Sequence, residues 1–210
     1  MLKHLTLSSI LILFFSSVMA QEFAPLKDEV AFRKLFAEKS QEFNTLKSDF
    51  VQEKSIYLLE NHIISNGSFQ YKRDGKLRME YFKPYSYLFV LNNDKVMIKN
   101  NQKQTNINAN SNKLFKLISQ ITVDCINGNI LNSKQFKTSI LENSSSYRIT
   151  LIPKLKELNS LLSEIVILIS KKDYTVETIE MKEVSNDFTL MTFSNKEINK
   201  PINDEVFSVR

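Results

Sequence analysis

Between Ile63 and Leu91 apolar and polar residues alternate in three consecutive runs: Ile63, Ser65, Gly67, Phe69 and Tyr71; then Leu77, Met79 and Tyr81; then Tyr85, Tyr87, Phe89 and Leu91. Successive side chains of a strand point to opposite faces, so each run predicts a strand with one apolar, largely aromatic side. Arg73-Asp74-Gly75-Lys76 joins the first two runs, and Asp-Gly readily adopts the positive backbone angles of a tight hairpin. Pro84 separates the second from the third. The pattern therefore predicts an antiparallel meander with a greasy face.

The flanking sequence extends this sheet. Pro25 to about Leu46 predicts a helix, with Asp28 and Glu29 near its positive end and Phe32, Leu35, Phe36 and Phe43 on one side. Lys47 to Leu59 predicts a strand with Phe50 and Ile56 facing one way, followed by a turn at Asn61-His62. Lys95–Lys99 and 102–108 predict two more polar strands. Leu114, Leu117, Ile118 and Ile121 then recur at helical spacing behind a cap at Ser111 or Asn112. Strands are expected near Phe136–Leu141, Tyr147–Ile152, Glu164–Ser170, Thr175–Glu183, Thr189–Phe193 and Glu205–Val209. Pro153 is suited to open a short helix or ordered apolar loop over KLKELNSLLS. Strands joined by short turns, with no strand–helix–strand alternation, make a mainly β, antiparallel fold. About ten to eleven such strands would curl toward a barrel, with about three short helices on the concave apolar side.

The first 20 residues are of another kind. Lys3 precedes an apolar run from Leu5 to Phe15, and small residues lead to Val18-Met19-Ala20, the pattern of a secretory signal peptide. Cleavage is expected after Ala20, leaving 21–210 as one exported domain, and no cysteine lies at that junction to carry a lipid anchor. Lysine and arginine number 28 against 23 acidic residues, a net charge of +5 that becomes +4 once Lys3 is removed. These cations are scattered rather than striped, which argues against nucleic acid while leaving room for transient contact with anionic membrane surfaces.

Side chains for catalysis are sparse. Beyond the leader the chain has one histidine, His62, and one cysteine, Cys125, which sits between apolar neighbours and reads as a buried thiol. A histidine-based triad, a His/Cys metal site and a glycine-rich phosphate loop are not supported, so no enzyme, metal or cofactor is expected. Glu177 and Glu180 read as solvated carboxylates, and Asn66-Gly67-Ser68 and Asn143-Ser144-Ser145 as turns. The apolar inventory either closes into one core or leaves a pocket for an apolar ligand.

Several of these segments also resemble one family. Phe50-Val51-Gln52, Ser65-Asn66-Gly67-Ser68-Phe69, Lys72-Arg73, Leu77-Arg78-Met79-Glu80-Tyr81 and Pro84 occur in the order seen in LolA-like periplasmic outer-membrane lipoprotein carriers. Tyr147 through Pro153, Tyr174-Thr175-Val176 before Ile179, and Thr189 to Asn195 continue the resemblance along nearly the whole mature chain. It implies an incomplete barrel closed by helices around a cavity for lipoprotein acyl chains, in a monomeric periplasmic protein of a Gram-negative bacterium. It also implies cargo received from an inner-membrane ABC transporter and passed to an outer-membrane acceptor.

On this resemblance the acyl cavity is expected to be lined by Phe69, Tyr71, Leu77, Met79, Tyr81, Tyr87 and Phe89 and covered by Leu114, Leu117 and Ile118. Arg73 matches an arginine that latches the lid onto backbone carbonyls. Asp74 stands where the family commonly has proline, and Met79 where it has tryptophan. A periplasmic sensor or interaction module of the same fold, and a carrier of a glycolipid or other acylated metabolite, are the alternative readings.

Overall fold

The computed structural model describes residues 22–59, 61–100, 103–108 and 123–209. The leader and the helix expected around Leu114, Leu117 and Ile118 lie outside the described residues. One antiparallel sheet of twelve strands organises the chain. Its strands are β1 (Ala24–Pro25), β2 (Thr45–Ile56), β3 (Asn61–Lys72), β4 (Lys76–Lys83), β5 (Tyr87–Asn92), β6 (Lys95–Asn100) and β7 (Gln104–Asn108), then β8 (Phe136–Glu142), β9 (Ser146–Pro153), β10 (Leu162–Ser170), β11 (Val176–Glu183) and β12 (Phe188–Ile198). In space they run β1-β8-β9-β10-β11-β12-β2-β3-β4-β5-β6-β7. Two meanders, β2 to β7 and β8 to β12, are thus joined where β12 returns to pair with β2. The sheet stays open between β1 and β7.

The hairpin at the centre forms as its sequence asks. Lys72 pairs with Lys76, and Asp74 and Gly75 take φ of 73° and 74°. Gly67, opposite Phe50 on β2, serves another purpose: a Cβ there would lie 2.4 Å from the Phe50 ring and 2.3 Å from the Glu80 carbonyl. The glycine makes room for the ring.

Helix α1 (Glu29–Gln41) is capped by Asp28, whose carboxylate accepts the Ala31 N–H, and it buries Phe32 and Phe36 against β8, β9 and β10. This first apolar cluster contains Ile140, Ile149, Leu151, Ile165 and Ile167. The second fills the inner face of β2 to β6 with Leu46, Phe50, Phe69, Tyr71, Leu77, Leu91 and Val96. Between them runs the described part of the β7–β8 connection: Cys125 belongs to the first cluster and Ile126 to the second. On the opposite face of β5 and β6, Val90 and Met97 are covered by Ile202 and Phe207.

Four sequence expectations change. Asn61 and His62 belong to β3, because a 3₁₀ turn over Tyr57–Leu59 reverses the chain earlier. Pro153 ends β9, and the following helix is confined to Lys156–Asn159. Asp204–Phe207 is a 3₁₀ turn rather than a strand. Asn66-Gly67-Ser68 lies within β3, whereas Asn143 does make the expected turn, accepting the Ser145 and Ser146 N–H groups. Among the described residues no helix is long and apolar enough to cross a membrane.

Candidate functional site: the inner face and its cover

Alternation places the aromatic residues of β2 to β5, except the exposed Phe82, on the inner face, where several meet as rings. Phe50 stands 4.9 Å from Tyr81 and 6.5 Å from Phe193, and Phe69 lies 5.7 Å from Phe193. Tyr81 makes a further edge contact with Tyr87 at 5.6 Å. Burial pushes the Tyr81 phenol up to about 12 and also raises Tyr87. Tyr81 still satisfies its hydroxyl by donating to Gln52 Oε1 at 2.9 Å.

Of the residues expected to line an acyl cavity, Phe69, Tyr71 and Leu77 are buried in the second cluster, with Met79, Tyr81 and Phe89 packed against it. Tyr87 is half-buried. Among the described residues a hollow of about 40 Å³ is lined by Phe43, Leu46, Ser48, Phe69, Cys125, Ile126, Tyr174, Thr175, Val176, Ile179, Phe193 and Lys196. Among the described residues only Phe69 is common to both sets. A water needs roughly 10–15 Å³ on this scale, so the hollow takes about three water-sized groups in the present arrangement. A long acyl chain needs it to widen.

The lining residues missed from sequence come mainly from β2, from the described part of the β7–β8 connection, from the β10–β11 turn with β11, and from β12, which meets β2 from far away in the chain. β12 meets β2 through Phe193–Phe50 and Ile198–Leu46. Alternation around Phe193 was a usable signal for that residue. Ser48 carried none.

Three contacts hold the cover over this face. Tyr71, fully buried, donates its hydroxyl to Asn127 Oδ1 at 2.6 Å. Burial raises the Tyr71 pKa against the opposing influence of Arg73. Arg33 on α1 donates to the Leu131 carbonyl, linking the helix to the β7–β8 connection. Arg73, in the β3–β4 turn, donates through Nη2 to the carbonyls of Gln41 and, at 2.8 Å, Phe43, and through Nε to Asn44 Oδ1 at 3.2 Å. The same residue's N–H binds the Asn44 carbonyl at 2.8 Å. Arg73 thus grips the segment that leaves α1.

Other candidate chemistry is dispersed. Cys125 is buried, and burial pushes its thiol up to about 12. His62 reaches Glu53 at 3.2 Å on the exposed end of β3, and Glu177 accepts from Ser146 Oγ at 2.9 Å within β11. No group of three potential metal-binding residues gathers among the described residues.

Residues 41–210 match the family described as outer membrane lipoprotein carrier protein LolA. No curated protein matches the chain. Among solved structures it is similar to an uncharacterized conserved protein from Thermus thermophilus, with a TM-score of 0.52, 8% identity, and coverage of 87% of this chain and 95% of that one. A LolA superfamily protein from Nitrosomonas europaea gives a TM-score of 0.45 at 9% identity over 84% and 97% of the two chains. A putative outer membrane lipoprotein-sorting protein domain from Vibrio parahaemolyticus gives 0.44 at 11% over 83% and 95%.

Proposed function

Because the chain belongs to the outer membrane lipoprotein carrier (LolA) family, we propose that it shields lipoprotein acyl chains and carries them through the periplasm from the inner to the outer membrane. The observation that carries this reading is the apolar inner face, packed under α1 and the described part of the β7–β8 connection rather than under further strands. Each buried methylene is worth about 0.8 kcal/mol, so exposing one long acyl chain to water costs on the order of 10 kcal/mol. Unassisted crossing of an aqueous gap is prohibitive. A protein that opens this face to the chain removes most of that barrier without a catalytic step, a metal or a cofactor.

The expected partners are an inner-membrane ABC transporter that loads the protein and an outer-membrane acceptor that unloads it, met by a monomer with a cleaved leader. Arg73 acts as the latch, since its hydrogen bonds to the Gln41 and Phe43 carbonyls close the α1 side of the cover. The test is protection of an acylated peptide from water by the purified protein. Phe89, packed against the second cluster, is the residue to change. Phe89→Glu is expected to abolish protection, and a folded Phe89→Glu variant that still protects the peptide overturns the assignment of the inner face.

A further inference from the structure

Among the described residues that line the hollow, Lys196 is the one charged side chain. Its direction comes from a bulge in β12: Ser194 pairs with Asp49 and Glu197 with Lys47, so β12 spans three steps while β2 spans two. One extra residue reverses the alternation, and such bulges characteristically re-aim a side chain. Asn195 takes the left-handed φ of 51° within it. Before the bulge Phe193 faces inward; after it Ile198 does, and Lys196 shares the face of Ile198. An unbulged strand would have turned Asn195 inward instead.

The ammonium of Lys196 donates to Thr175 Oγ1 at 2.6 Å and to the Val176 carbonyl at 3.2 Å. Thr175 in turn donates its hydroxyl to Asp173 Oδ1 at 2.7 Å. Burial would raise the Asp173 pKa, but the Thr175 hydroxyl and N–H, with Lys196 nearby, outweigh it and keep the carboxylate ionised. The hydrogen bonds orient Lys196 while using two of its three N–H groups. They leave another polar group of the hollow unexplained: Ser48 is 5% exposed, lines the same cavity, and its Oγ has no hydrogen-bond partner. Buried hydroxyls are normally paired, so an orphaned one in the same hollow as a cation marks a place where a ligand atom belongs.

We propose that Lys196 and Ser48 form the head-group end of the hollow and that it takes a long-chain fatty acid, its carboxylate on these two donors and its tail along the inner face. This rests on the carrier reading and adds to it a ligand class whose chain ends in an acid. The head group is monoanionic because Asp173 already offsets part of the Lys196 charge. A dianionic phosphate would find too few donors here. The hollow holds the carboxylate and the first methylenes, and the rest of the tail enters as the cover lifts.

The test is competition against 1-N-phenylnaphthylamine, a neutral fluorescent probe of apolar sites, by dodecanoate, dodecan-1-ol and dodecyl phosphate at pH 8. Dodecanoate is expected to compete at least tenfold better than the alcohol and better than the phosphate. Lys196→Met is expected to bring acid and alcohol within about twofold of each other. Ser48→Ala, which removes a hydroxyl with no protein partner to lose, serves if Lys196→Met does not fold, and is expected to weaken dodecanoate relative to the alcohol about threefold. Equal competition by acid and alcohol in the unaltered protein, a preference that survives Lys196→Met, or tighter binding of the phosphate overturns the fatty-acid assignment while sparing the carrier. Failure of the probe and of every dodecyl compound to bind overturns both.

Discussion

Replacing Arg73 by leucine separates a latch from an ordinary turn residue. Three side-chain hydrogen bonds are lost: those to Gln41 and Asn44 lie at exposed positions, and that to the Phe43 carbonyl is part-buried. Water replaces the exposed two at little net cost. The third, a charge-assisted bond, is worth about 2 kcal/mol. With a urea slope of about 2 kcal/mol per molar, the unfolding midpoint should fall by about 1 M. If these bonds exist only in the closed form, the same 2 kcal/mol is withdrawn from closed against open. A ligand that binds only the open form should then bind about 30-fold more tightly. The pair of measurements is urea unfolding and titration with a fluorescent acyl probe. A midpoint that falls while acyl affinity stays unchanged refutes the latch, because Arg73 then stabilises closed and open forms alike.

Two further substitutions or labels probe the packing beneath the latch. Gly67→Ala is expected to destabilise the protein by about 3 kcal/mol, the upper end of overpacking, because the new methyl meets the Glu80 carbonyl at 2.3 Å and the Phe50 ring at 2.4 Å. An unfolding midpoint equal to that of the unaltered protein contradicts the close approach. Cys125, with its thiol raised to about 12 by burial, is a neutral thiol at pH 8 and is expected to resist maleimide in the folded protein and to react fully in denaturant. Labelling of the folded protein at the rate of a free thiol contradicts its burial.

Much of the sheet was legible because its signals are local. The alternation of Phe69 and Tyr71 on β3, with Leu77, Met79 and Tyr81 on β4, needs only period two and an Asp-Gly turn, and both are found. The misreadings arise where distant residues decide. Asn61-His62 has turn chemistry, but the chain reverses over Tyr57–Leu59, where the Tyr57 N–H is held by Asp187 Oδ1 from the β11–β12 turn at 2.8 Å. Pro153 suits a first helical turn equally well, yet it pairs with Phe136 at the end of β9, and the Lys154 N–H extends the ladder to the Gln135 carbonyl. The hollow was the least legible part. It depends on β12 lying beside β2, and Lys196 faces inward only because a bulge shifts the register by one residue.

On the carrier reading, the close packing of the described inner rings has an energetic use. A rigid empty cavity would hold an acyl chain with the full burial energy of about 10 kcal/mol, and release would be correspondingly slow. Here the inner rings occupy the space themselves through the contacts Phe50–Tyr81, Phe50–Phe193, Phe69–Phe193 and Tyr81–Tyr87. Aromatic pairs contribute about 0.5–1.5 kcal/mol each beyond their area, so these four restore roughly 2–6 kcal/mol when the ligand leaves and the face closes. The protein's own side chains therefore compete with its cargo. That competition lowers the net hold to roughly 4–8 kcal/mol per chain, which an acceptor exceeds with a modest gain in apolar burial and without any input of chemical energy.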